Sequence, residues 1–294
     1  MSGRANRVWT GGSAILARVG DPRPVGVFDS GVGGLTVLHE LRRQLPGERL
    51  LYLADLEWFP YGPRPLRDVR HRALDIITHF AELDTKLVVI ACNSATAAAL
   101  NTARERFDIP IVGVIAPGAQ AAVEATGNGR IAVISTEATL HSGEYLHAIK
   151  EANPGCAVLG RAAPELVSIV EAGDADTIRA DGALAPLLDE LFAWGADTLV
   201  LGCTHYPLLL PSLLRLIGGR SMAVVDSAAT TAARVQRIVA VNRLQRDGED
   251  VPPQLAVTAA PRRFLDSARR IFGEELAAPE VVRIGDCGLL AVAP

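Results

Sequence analysis

KLVVIACNS at residues 86–94 and DTLVLGCTH at residues 197–205 repeat one pattern within the chain. Each is an apolar, β-branched run of strand length that ends at a cysteine followed by two polar residues, and the two cysteines, Cys92 and Cys203, stand 111 positions apart. An unbroken apolar run, rather than an alternating one, suits a parallel strand covered on both faces. A fainter echo links GVFDS at 26–30 with AVIST at 132–136, each a strand stopping at an acid or hydroxyl residue. Asp29 precedes Cys92 by 63 positions and Ser135 precedes Cys203 by 68. Internal repetition maps onto architecture, so two similar α/β lobes are expected. Ligands in open parallel sheets bind beyond the carboxyl ends of strands, which places both cysteines at ligand positions.

Outward from these two segments, short apolar runs alternate with stretches of helical periodicity, the pattern of a parallel sheet flanked by helices. The strands are expected at 25–29, 49–54, 87–91, 111–114, 130–135, 157–161, 198–202, 223–226, 254–258 and 281–284. Leu35, Leu38, Leu41 and Leu45 set one apolar stripe on a helix over 33–45, and 66–83, 96–106 and 227–243 show the same periodicity.

At 294 residues, 49% hydrophobic and 21% charged, the chain can bury a large core, and wholesale disorder is excluded. A net charge of −4 gives no global reason to bind nucleic acid or an anionic membrane surface. The longest apolar stretch, 87–100, is interrupted by Asn93, Ser94 and Thr96 and is too short for a membrane helix. The run from Ala14 to Ala17 is broken by Arg18, so a secretory signal is not expected, and residues 1–24 read as a mobile extension. Four scattered cysteines without a CxxC pair fit a reducing compartment and a cytoplasmic location.

The residues that carry chemistry cluster at the predicted strand ends. FDSGVGGL at 28–35 is a strand, a glycine turn and a helix start, a geometry that cradles an anion or simply turns tightly. It lacks the lysine of a P-loop and matches the dinucleotide fingerprint poorly. Cys92 and Cys203 each lie where a strand gives way to an expected helix, and a thiol at a helix N-terminus has a lowered pKa. Two such thiols, one per lobe, suit a pair of opposed acid/base groups. Cys156 and Cys287 lack this context and read as packing residues. His205, two positions past Cys203, could join it on a metal, but the spacing is unlike zinc patterns and no further Cys/His cluster completes a site, so no metal is expected. A histidine beside a catalytic thiol can instead move its proton. His39, His71, His79, His141 and His147 fall on expected helices. YLADLEWFPYG at 52–62 is an aromatic loop that either walls off a small ligand or forms a surface turn. Lys86 and Lys150 are the only lysines, against 27 arginines, and neither stands at a strand's carboxyl end, which argues against a pyridoxal phosphate Schiff base.

Taken in order, FDSGVGGL at 28–35, PYG at 60–62, ACNSAT at 91–96 and GCTHYP at 202–207 resemble the motifs of the glutamate racemases, within the aspartate/glutamate racemase family. The resemblance runs from Val25 to Ile284. It implies a cofactor-independent isomerase of two α/β lobes related by a pseudo-twofold axis, with the active site between them, supplying D-glutamate for peptidoglycan and hence for cell-wall biogenesis and cell shape. It implies a first lobe of 25–117 plus 227–294 and an inserted second lobe of 118–226. By the same resemblance Cys92 and Cys203 are the catalytic acid/bases, Asp29 assists Cys92, His205 assists Cys203, and Glu171 partners His205. Asp29, Ser30, Tyr61, Gly62, Asn93, Ser94, Thr204 and His205 fall on substrate-contact positions. A homodimer is expected, and the extension is similar to that of members activated by a cell-wall precursor.

The sequence departs from the family at Ser94, where threonine is more usual, and in Asp55-Leu-Glu-Trp-Phe, where small residues are more usual. Two other readings stay open. A racemase of aspartate or another acidic amino acid would carry the same cysteine pair, and a non-catalytic solute-binding protein would share the two-lobed architecture.

Overall fold

The computed structural model describes residues 20–273 and 275–285. Its strands are β1 (Val25–Asp29), β2 (Leu50–Ala54), β3 (Leu87–Ile90), β4 (Ile111–Gly113), β5 (Arg130–Ser135), β6 (Ala157–Ala162), β7 (Thr198–Gly202), β8 (Ala223–Asp226), β9 (Gln254–Val257) and β10 (Glu280–Val281). The helices are α1 (Leu35–Gln44), α2 (Leu66–Glu82), α3 (Asn93–Arg106), α4 (Ile115–Ala125), α5 (Glu137–Ser142), α6 (Glu144–Ala152), α7 (Glu165–Glu171), α8 (Ile178–Trp194), α9 (Leu210–Ile217), α10 (Ser227–Val241) and α11 (Pro261–Phe272). All ten expected strands form, although the last is two residues long and ends before 284.

The strands make two all-parallel sheets, one in the order β10-β9-β2-β1-β3-β4 and the other β6-β5-β7-β8. The order β2-β1-β3-β4 therefore recurs as β6-β5-β7-β8, and the duplication of the sequence is a duplication of topology. In each sheet the order reverses between the strand that ends in an acid or hydroxyl residue and the strand that leads to a cysteine. That reversal opens a crevice at the carboxyl ends.

Burial on both faces explains the apolar runs. In the first sheet Val25, Val27 and Val89 pack against α1, α10 and α11, while Phe28, Val88 and Ile90 pack against α2 and α3. In the second, Ala132 and Ile134 meet α7, α8 and α9, whereas Ile131 and Val133 meet α4 and α6. Cys156 is buried in this last layer, as expected of a packing residue, and Cys287 lies outside the described residues.

The expected mobile extension lies outside the described residues as far as 19, but 20–24 are tied down. Asp21 N donates to Gln245 O at 2.8 Å, and Lys86 N donates to Pro24 O at 3.0 Å. The fully buried Lys86 Nζ donates to Asp21 O and Leu244 O and lies 2.5 Å from Glu48 Oε2. A buried ammonium needs that full set of partners, and supplying them fixes the approach to β1.

Candidate active site

Cys92 is the N-cap of α3, with extended backbone (φ −72°, ψ 127°), directly after β3. Cys203 follows β7 but leads only into a turn and a four-residue 3-10 helix, Tyr206–Leu209. Both thiols line one cavity of about 820 Å³ between the two sheets, together with Ser30, Tyr61, Gly62, Asn93, Ser94, Thr204, His205 and Glu171. Of the residues expected at the site, only Asp29 stands outside the lining. It is fully buried behind it.

The glycine turn is an anion cradle whose anion is the chain's own. Asp29 Oδ2 accepts from the amides of Gly31 at 3.1 Å and Gly34 at 3.0 Å, so these donors are satisfied before any ligand arrives. Burial pushes the Asp29 carboxyl above its ordinary range, with His205 and the turn amides only partly offsetting it. The turn also brings the lobes together: a Cβ on Gly33 would lie 2.5 Å from His205 Nδ1 and 2.6 Å from Thr204 Oγ1. Glycine here permits contact between the first strand end and the second cysteine motif.

The two cysteines sit in different electrostatic settings. Burial, then the Asp29 carboxylate, pushes the Cys92 thiol well above its ordinary range, and the Ala95 amide and the Ser30 hydroxyl, 3.9 Å away, do not offset this. The lowered pKa expected from the helix N-terminus is thus reversed at Cys92, because removing a thiolate from water outweighs one helix end. At Cys203 the dipole argument does not apply, since no α-helix starts there. Its neighbour is His205, whose Nδ1 lies 3.9 Å from Sγ and whose Nε2 lies 2.9 Å from Glu171 Oε1. Burial disfavours the imidazolium, but hydrogen bonds to Cys203 and Glu171 prevail and hold His205 at about 10. The same pairing, with Ser267 Oγ donating to Oε2 at 3.3 Å, keeps the Glu171 carboxyl below its ordinary range despite burial.

Contacts cross between the lobes in a symmetric way. Thr204 Oγ1 donates to Asp29 Oδ1 at 3.4 Å, linking the first strand end to the second cysteine motif. Ser94 Oγ lies 2.9 Å from Thr136 Oγ1, linking the first cysteine motif to the second strand end. Thr136 lines the cavity, and so does Glu137. Sequence reasoning did not place Thr136 in the site, although its echo of Ser30 within the repeat was the available signal. Asn93 Oδ1 accepts from Tyr145 OH at 2.8 Å, while Asn93 Nδ2 is buried with no partner among the described residues.

The aromatic loop is a wall of the cleft. Tyr61 OH donates to Asp55 Oδ2 at 2.5 Å, so its hydroxyl is turned away from the cavity. Asp55 also accepts from Arg72 at 2.6 and 2.8 Å and from Thr258 Oγ1 at 2.8 Å. Trp58 lies under the guanidinium groups of Arg64 and Arg72, which accounts for the tryptophan in the stretch that departs from the family pattern. A further part of the lining comes from α11, which supplies Arg263, Asp266, Ser267 and Arg270. Nothing local in that helix's sequence marks it as part of the site. Among the described residues no cluster of three or more His, Cys, Asp or Glu side chains suits a metal ion. Neither lysine lines the cavity.

Two parallel-sheet lobes, with a cysteine at the switch point of each facing one cavity, define an α/β enzyme built around a paired-cysteine cleft. Residues 26–235 match the family model of the Asp/Glu/Hydantoin racemases, and the chain is 43% identical over 259 residues to a glutamate racemase of Saccharopolyspora erythraea, covering 88% of this chain and 95% of that one. The chain belongs to the Asp/Glu/Hydantoin racemase family and is an isomerase, an amino-acid racemase. Its structure is similar to glutamate racemase isoform RacE1 from Bacillus anthracis, with a TM-score of 0.84 and 35% identity over 90% of this chain and 97% of that one. It is also similar to Escherichia coli glutamate racemase in complex with L-glutamate and the activator UDP-MurNAc-Ala, with a TM-score of 0.71 and 31% identity over 85% and 96% of the two chains.

Proposed function

We propose that this chain interconverts L- and D-glutamate without a cofactor, with Cys92 and Cys203 as the paired acid and base. The observation that carries the reading is that both thiols, at topologically equivalent strand ends, line one cavity while His205, paired with Glu171, lies beside Cys203. An α-proton next to a carboxylate is very weakly acidic, so its removal needs a close base and donors for the negative charge that develops. Cys203, with His205 beside it to move its proton, takes the α-proton from one face, and the Cys92 thiol gives its proton to the other face. The reverse direction exchanges the roles. The Cys92 thiol, whose pKa burial raises, is a strong base once deprotonated in the reverse direction, which matches it to a weak carbon acid. Asn93 Nδ2, without a partner among the described residues, and the hydroxyls of Ser30 and Ser94 supply donors for the amino acid's carboxylates, while Thr204, whose proton goes to Asp29, can accept from its amino group. Asp29 acts on Cys92 through charge from behind the wall, and Glu171 holds His205.

The same reading takes the lobes as 25–117 with 227–294 and 118–226, the location as cytoplasmic, the product as D-glutamate for peptidoglycan, and the assembly as a homodimer. A cell-wall precursor as activator is supported by the Escherichia coli complex. Among the described residues no helix is long and apolar enough to cross a membrane.

Proton NMR of L-glutamate in deuterated buffer, followed by chiral analysis, tests the reading. Loss of the α-proton signal with appearance of D-glutamate is expected. Exchange with aspartate alone would overturn the substrate, and no exchange with any acidic amino acid would overturn the paired-thiol chemistry.

A further inference from the structure

The cavity wall carries three acidic side chains, Glu137, Glu171 and Asp266, and three basic ones, His205, Arg263 and Arg270. Glu171 and His205 answer each other, and Arg270 Nη1 donates to the Glu171 carbonyl at 2.9 Å. Arg263 makes no ion pair within 4.0 Å among the described residues, although its charge is near enough to Glu171 to help hold that carboxyl low. Its exposed guanidinium lies 5.7 Å from the centre of the Phe59 ring. Phe59 in turn packs against the His205 ring, 6.2 Å between centres, and fills the space above Gly31, where a Cβ would come 2.8 Å from the aromatic ring. The ring thus separates a buried imidazolium from an exposed cation and gives the long arginine side chain an apolar rest at the cleft rim.

We propose that Arg263 is a specificity-determining residue that captures the acidic substrate at the mouth of the cleft; this rests on the reading of glutamate as substrate. Glutamate carries one net negative charge at neutral pH, and the rim it crosses holds the exposed carboxylates Glu137 and Asp266. With Arg263 present, these are balanced by Arg263 and Arg270. Without Arg263 the rim is net acidic and repels the substrate. A charge in this position acts on encounter and binding rather than on the inversion, and its effect is screened by salt.

The test compares the full-length parent with Arg263→Gln and Arg263→Lys in L-glutamate racemisation, at ionic strengths between about 0.01 M and about 0.15 M. For Arg263→Gln a fall of about three- to tenfold in kcat/KM at low salt is expected, carried by KM, with a flatter salt dependence than the parent's. Arg263→Lys keeps the charge and is expected to restore the salt dependence. An Arg263→Gln variant with the parent's KM and salt slope overturns the proposal, as does a loss confined to kcat, which would mean that Arg263 acts through Glu171. A parent that does not turn over glutamate overturns the substrate reading itself, and the inference falls with it.

Discussion

Replacing Glu171 with glutamine removes the carboxylate that backs His205 while keeping a side chain of the same shape. A histidine held at about 10 against an ordinary 6.5 keeps its proton by roughly 5 kcal/mol, at about 1.4 kcal/mol for each tenfold in proton affinity. Two hydrogen-bonded partners supply that surplus against an opposing burial term: Cys203 Sγ at 3.9 Å and Glu171 Oε1 at 2.9 Å. Losing the Glu171 charge is therefore expected to remove on the order of 2 kcal/mol, a factor of about 30 in the proton affinity of His205. In the parent, stability from the raised histidine is fully present below about 6.5 and is lost as pH rises through about 10. Stability from the lowered Glu171 is present above 4.5 and is lost as pH falls through the folded-state value beneath it. In Glu171→Gln the Glu171 contribution disappears, and the histidine's shrinks by the part that Glu171 supplied. The assay is an NMR titration of the His205 ring together with the pH dependence of racemisation. The alkaline limb should move to lower pH by more than one unit, on the order of the factor above. A His205 that still titrates near its parental value in Glu171→Gln would refute the reasoning.

Cys92→Ser and Cys203→Ser should each lower racemisation by about 10²–10⁴-fold with an unchanged circular dichroism spectrum, and either variant at the parent rate would disprove the paired-thiol mechanism. Gly33→Ala places a methyl group 2.5 Å from His205 Nδ1 and should cost about 1–3 kcal/mol in chemical denaturation as well as activity; parental values for both would show that the seam relaxes. Arg72→Met leaves Asp55 buried without its cation and should cost about 3–5 kcal/mol, whereas Arg67→Gln, at an exposed pair, should change the denaturation midpoint little.

Much of the fold was legible because its signals are local. A strand covered on both faces must be apolar throughout, so the runs that end at Asp29, Cys92, Ser135 and Cys203 announced themselves. Their repetition announced the two sheets. The shared order β2-β1-β3-β4 and β6-β5-β7-β8 then follows from one plan used twice. The site was partly legible for the same reason: cysteines at strand ends fall at the switch points, and Cys92, Cys203 and His205 do meet in one cavity.

What the sequence determined by itself was the class, the strand ends and which side chains stand on them, since period and polarity are properties of neighbouring residues. Only the tertiary structure decided who partners whom. The Asp29 carboxylate could have faced a ligand, but it fills its own glycine turn. The Cys92 thiol should have been acidified by its helix, but burial beside Asp29 raises it. Thr136 and α11 join the site from elements distant in sequence, and Phe59 rests between His205 and Arg263. Desolvation and the pairing of charges depend on which surfaces meet when the two lobes close on each other, and that is a non-local property of the folded chain.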